Sequence, residues 1–134
     1  MLIQCTKKLL DKSKVKPDLK ATEAPLFSWH ANLITVNRRQ AVVLVNDKNQ
    51  YVIVLYGLRA KHFKRLDEHI IEAIKQTLRK EYIKDEIVEQ FITHSSEVIF
   101  SKTKSRSLIA KMNNVCKNIN YYGDLLKEDD IYSP

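Results

Sequence analysis

Two stretches of this chain, residues 41–45 (AVVLV) and 51–56 (YVIVLY), are apolar at nearly every position. A strand with one face in water alternates apolar and polar residues, because successive side chains point to opposite sides of the sheet. Strands that are apolar throughout belong to a sheet packed on both faces, by helices or by a second subunit. They follow a third strand expected over about 26–36, and polar segments at 37–40 and 46–49 supply the tight turns between them. Asn49 suits a left-handed backbone position, and Gly57 ends the run of strands.

The rest of the chain fills in around this core. Residues 2–5 read as a short strand, and Thr6 as the N-cap of a helix over 7–13. Residues 16–25 are polar and proline-bounded, a surface loop. The clearest helix spans 60–80, where Phe63, Leu66, Ile70, Ile74 and Leu78 form one apolar stripe. A shorter helix over 85–93 turns Ile87, Val88, Phe91 and Ile92 inward, and 97–102 reads as a final strand. Ser105 caps a third long helix with Leu108, Met112, Val115 and Ile119 inward, and Gly123 marks its end or a break. In the second strand the hydrophobic alternation changes phase at Leu33–Ile34, which points to a bulge there. The expected fold is α+β: a mostly antiparallel five-stranded sheet packed by two longer and two shorter helices. One domain over 1–119 is followed by an acidic C-terminal tail, 120–134.

Composition narrows the functional classes. No run approaches the roughly 18 apolar residues of a membrane helix, and the first residues lack the apolar region of a signal peptide. Cytoplasmic residence without a membrane partner is the expectation. Cys5 and Cys116 read as reduced core thiols, and with four scattered histidines they make no zinc-ligand spacing; no metal or cofactor is expected. The net charge is +7. Residues 120–134 hold Asp124, Glu128, Asp129 and Asp130 against Lys127, a net −3, so residues 1–119 carry +10. A basic body of this kind suits phosphate or an acidic partner.

The segments MLIQCTKKLLDK, LFSWHANLITVNRR, VVLVND, YVIVLYGL, the helix around Leu66-Asp67 and the late SKTKSRSLIA occur in that order. Together they resemble an uncharacterised bacterial domain family, seen alone or N-terminal to plasmid open-reading-frame-three-like domains. The resemblance covers residues 1–119. It implies no activity and carries over no catalytic residue. The plasmid-type fusion partner implies a nucleic-acid, mobile-element or defence setting.

Four groups of residues are candidates for a site. Ser28, His30 and Asn32 share one face of their strand, and His30 is the one candidate general acid or base. Residues two apart on a strand stand about 7 Å apart and do not point at each other, so no triad forms within that segment. A histidine hydrogen-bonded to a loop is the competing account. Arg38 and Arg39 sit in a turn, placed to grip phosphate in a forked manner or simply to charge a hairpin tip. Lys102, Lys104, Ser105 and Arg106 combine a strand end, a basic cluster and a helix start, the sharpest anion-site pattern in the chain. It has no glycine-rich loop and is not a P-loop. Finally, Lys61, Lys64 and Arg65 with His62 and His69 form a positive helix face. Its histidines are seven apart, two turns or about 10 Å, too far to share a metal.

The functional expectation is a non-enzymatic module that binds DNA or RNA through phosphates. The alternatives are a homodimeric or protein-binding regulator using the flat apolar sheet, and a metal-independent nuclease or phosphotransferase using His30.

Overall fold

The apolar stretches are neighbouring strands of one five-stranded sheet. The computed structural model describes residues 1–94, 97–121 and 132. The strands are β1 (Leu2–Cys5), β2 (Ser28–Val36), β3 (Arg39–Asn46), β4 (Val52–Leu58) and β5 (Ile99–Lys102), in the spatial order β4-β3-β2-β1-β5. The helices are α1 (Lys7–Ser13), α2 (Ala60–Phe63), α3 (Leu66–Lys80), α4 (Asp85–His94) and α5 (Arg106–Tyr121). The α+β class stands, but the sheet is mixed rather than mostly antiparallel. β2–β3 and β3–β4 are antiparallel hairpins, whereas β1 lies parallel to both β2 and β5. The described residues hold five helices, because the stretch expected as one helix from residue 60 breaks at Lys64–Arg65. Arg65 leaves helical geometry (ψ 39°), and α3 restarts with Asp67 and Glu68 in its first turn, where carboxylates favour the helix dipole.

Both faces of the sheet are covered within one chain. On the first face Ile3, Cys5, Trp29, Ala31, Leu33, Val42, Leu44, Ile53 and Leu55 form a single core with Phe63, Leu66, Ile70 and Ile74. On the second, Ile34, Val36, Ala41, Val43, Val45 and Val54 pack against Met112, Cys116 and Ile119 of α5. Leu33 and Ile34 therefore face different cores. That explains the phase change in β2 without a bulge, since β2 and β3 stay in continuous register. The register shift falls instead between Gln40 and Ala41, opposite Gly57 in β4, and Gly57 takes φ +76°, a conformation that favours glycine. A second copy of the chain is not needed to cover the central strands.

The turns follow local chemistry closely. Asn37 and Arg38 both have positive φ (51° and 65°), the signature of a two-residue type I′ hairpin, so Arg39 already belongs to β3. In the next turn Gln50, not Asn49, takes the left-handed position (φ 57°), while Asn46 Oδ1 accepts the N–H groups of Lys48 and Asn49. Thr6 caps α1 by accepting the Leu9 N–H at 3.4 Å. Ile87, expected inward, is 53% exposed, while Val88 beside it is fully buried.

Gly123 and the acidic side chains from Asp124 to Asp130 lie outside the described residues. Tyr132 is described: it bridges Leu55 alongside β4, accepting the Tyr56 N–H and donating its own N–H to Val54 O, each at 2.8 Å. Its ring is buried in the first core, and its hydroxyl lies 3.2 Å from His69 Nδ1.

Cys5 and Cys116 are free and buried in different cores, with the sheet between them. Burial pushes the Cys5 thiol up to about 12 and raises that of Cys116 as well. At pH 8 both are thiols rather than nucleophilic thiolates. Native protein is therefore expected to resist a thiol-reactive disulfide reagent, with both cysteines reacting once the chain is denatured. Rapid labelling of either under native conditions contradicts this burial.

Candidate functional site

The parallel pairing of β1 with β5 builds a basic end to the sheet. Cys5 pairs with Lys102, and the Thr103 N–H reaches Cys5 O. Beyond these strand ends α1 and the loop after it meet the β5–α5 connection. The Asp18 N–H donates to Phe100 O at 2.8 Å, and Lys104 Nζ donates to Leu19 O at 2.8 Å. Between them lies a groove of about 430 Å³ lined by Lys7, Asp11, Val15, Pro17, Lys102 and Thr103, among others.

Charge is concentrated here. Residues 7–20 contain Lys7, Lys8, Lys12, Lys14, Lys16 and Lys20 against Asp11 and Asp18; residues 102–107 add Lys102, Lys104 and Arg106. Nine cations against two acids is a net +7, the formal net charge of the entire chain. The remaining residues sum to zero. All nine cations are exposed, and among the described residues none is taken up in an ion pair. Lys12 reaches sideways over the Phe63 ring, 5.7 Å from its centroid. Ser105 caps α5, its Oγ accepting the Leu108 N–H at 3.2 Å.

Arg38 and Arg39 stand apart from this end. Lys102 is level with Ala31 through Cys5, whereas Arg38 lies beyond the end of β2. Two strand spacings and several residues of rise separate them, on the order of 20 Å. That exceeds the ionic screening length of about 8 Å at physiological salt. The structure thus brings Lys7 and Lys102 to one groove and Lys104 against the loop after α1, and leaves the two arginines exposed elsewhere. The lysine density of residues 7–20 is visible in the sequence. Its partnership with residues 102–106 depends on a strand pairing that no local signal announces.

His30 is 1% exposed. Its Nδ1 meets Asp47 Oδ1 at 2.7 Å, and Gln4 Nε2 donates to Asp47 Oδ2 at 2.8 Å. A carboxylate beside Nδ1 fixes the ring, as in a catalytic dyad. However, Nε2 is buried without a partner, enclosed where no substrate reaches. Ser101, in register with Gln4 on β5, likewise buries an unpartnered Oγ. Ser28 donates instead to Glu23 O and Ala24 O, and Asn32 accepts from Thr6 Oγ1 at 2.8 Å. This polar row ties β1, β2 and the β3–β4 turn together.

The break before α3 brings His62 and His69 closer than two turns of a continuous helix, with ring centroids 5.1 Å apart and edge-to-face. Desolvation first, then His69, Lys61 and Arg59, hold the His62 imidazole below its ordinary value. Among the described residues no group of three or more His, Cys, Asp or Glu is placed to hold a metal ion. No helix among them is long and apolar enough to cross a membrane.

Fold and surface together define a small mixed-sheet α+β protein with one strongly basic end. The chain belongs to the family described as Domain of unknown function (DUF6933), whose model matches residues 2–134 and so includes the acidic segment. No curated protein and no solved structure matches the chain.

Proposed function

We propose that this chain is a non-enzymatic module that binds nucleic acid through backbone phosphates at its basic end. The observation that carries the reading is the gathering of the chain's whole net charge onto α1, the loop after it and the β5–α5 connection. Exposed lysines from two elements flank a groove there, and flexible point charges of this kind neutralise phosphates without reading bases. Lys102 stands on one wall and Lys7 on the other, and Lys104, Ser105 and Arg106 follow Lys102 in the β5–α5 connection. Arg38 and Arg39 serve as a separate, secondary patch. A cytoplasmic setting linked to mobile elements or defence accords with the family resemblance. The segment 120–134, net −3, competes with phosphate for the same cations at low salt.

The test is a salt titration of binding to one duplex sequence prepared as DNA and as RNA. The expected result is a linear fall of log affinity with log salt. In a Lys7→Gln, Lys16→Gln, Lys102→Gln, Lys104→Gln variant the slope on DNA should become shallower by about 0.9 for each phosphate no longer neutralised. An Arg38→Gln variant should change the slope by no more than about 0.9. No binding at low salt, or an unchanged slope in the four-lysine variant with an unchanged melting temperature, refutes the reading.

A further inference from the structure

The groove at the basic end is lined by more than cations. Lys7, Leu10 and Asp11 stand at positions i, i+3 and i+4 of α1, so they share one face of the helix, and all three line the groove. Val15, Pro17 and Lys102 line it as well. Leu10 is buried and Val15 and Pro17 are half-buried, so part of the lining is hydrocarbon. The volume, about 430 Å³, falls in the range of small-molecule sites, about 300–1,000 Å³.

Phosphate accounts for Lys7 and Lys102 but for nothing else in this lining. A duplex laid across the groove offers phosphate and sugar, and keeps the pairing edges of its bases inside. It leaves the apolar lining without a partner, and a carboxylate repels it. Asp11 is such a carboxylate. It is exposed, and among the described residues it forms no ion pair with any of the lysines around it. An ionised carboxylate only accepts hydrogen bonds, and its two oxygens match a pair of neighbouring N–H donors. The nucleic-acid backbone has no N–H group, whereas bases do. Unpaired bases also splay out to pack their faces on apolar side chains. Guanine alone among the four bases presents two adjacent donors on its pairing edge, the ring N–H and the 2-amino group.

We propose that the groove takes one unpaired guanine of a single strand. The base packs on Leu10, Val15 and Pro17, its two donors meet the Asp11 carboxylate, and Lys7 and Lys102 hold the flanking phosphates. This rests on the reading of the basic end as a nucleic-acid surface, and adds strand and base selection to it.

The test uses labelled single strands of about ten nucleotides, a length typical of single-strand sites. All are thymine except at one central base. That base is guanine in one strand and hypoxanthine, which lacks only the 2-amino group, in another; a third strand is thymine throughout. Fluorescence anisotropy should show the full chain binding the guanine strand about tenfold more tightly than the hypoxanthine strand. It should also bind the guanine strand more tightly than the same strand annealed to its complement. Asp11→Asn has nearly the same size at an exposed position, and should bring the guanine and hypoxanthine strands within about twofold with an unchanged melting temperature. Affinity for the all-thymine strand should hold or rise in this variant, because a negative charge leaves a cationic groove. Equal affinity for the guanine and hypoxanthine strands in the unaltered chain, tighter binding of the duplex, or a guanine preference that survives Asp11→Asn overturns the guanine site while leaving phosphate binding in place. No binding of any strand at low salt overturns both readings.

Discussion

Replacing Leu44 with alanine should lower the unfolding free energy by about 2–5 kcal/mol, and replacing its neighbour Val43 should cost about 1–4 kcal/mol. Both are fully buried, yet they face opposite sides of β3. Leu44 meets the core under α3, and Val43 the core under α5. In a sheet with one wet face, one of two consecutive residues lies in solvent and its truncation costs within about 0.5 kcal/mol. Here each leaves a cavity in a different core, because close-packed surroundings relax only partly around a deletion. Chemical denaturation reads both losses. A near-neutral Val43→Ala would show that α5 does not pack on the second face in solution. Since whole domains are stable by only about 5–15 kcal/mol, the Leu44 change alone can leave the fold marginal.

The second large effect is expected at Asp47. Its two carboxylate oxygens serve His30 Nδ1 and Gln4 Nε2, both on buried side chains of neighbouring strands. Asp47→Ala takes the carboxylate from His30 Nδ1 and one of two oxygen acceptors from Gln4 Nε2, which keeps Trp29 O at 3.3 Å, and an orphaned buried group costs about 1–3 kcal/mol. Asp47 is itself 12% exposed, so water offsets part of the loss, leaving on the order of 1–3 kcal/mol. His30→Leu removes one of the groups that depend on the carboxylate. The double variant should therefore be more stable than the two single losses predict, by about 0.5–3 kcal/mol of coupling. Strict additivity would show that the pair does not interact. If His30→Gln abolished nucleic-acid binding with an unchanged melting temperature, the structural role of this histidine would be wrong.

What the sequence made legible was local. Uninterrupted apolar strands announced a sheet covered on both sides, and Thr6 and Ser105 announced helix starts, because propensity and capping act over a few residues. The parallel pairs were not legible. A hairpin advertises itself through turn residues such as Asn37, whereas β1 reaches β2 and β5 across long intervening segments without a local signature. The same limit applied to the sites. The lysines of α1 and of the β5–α5 connection are far apart in the chain, and only strand order brings them together. Asp47 read as a turn residue, and its partnership with His30 depends on register.

Sheets carry a hazard at their rims, where outermost strands offer unpaired backbone groups on which another chain can grow. In this molecule each rim is stopped by a residue from outside the sheet. Tyr132 occupies the N–H of Tyr56 and the carbonyl of Val54 on β4, and the Asp18 N–H occupies the carbonyl of Phe100 on the four-residue β5. Tyr132 thus occupies two of the outward backbone groups of β4 on which another strand could pair. A truncation before residue 132 would leave the Tyr56 N–H and the Val54 carbonyl on this rim open to a strand from another molecule.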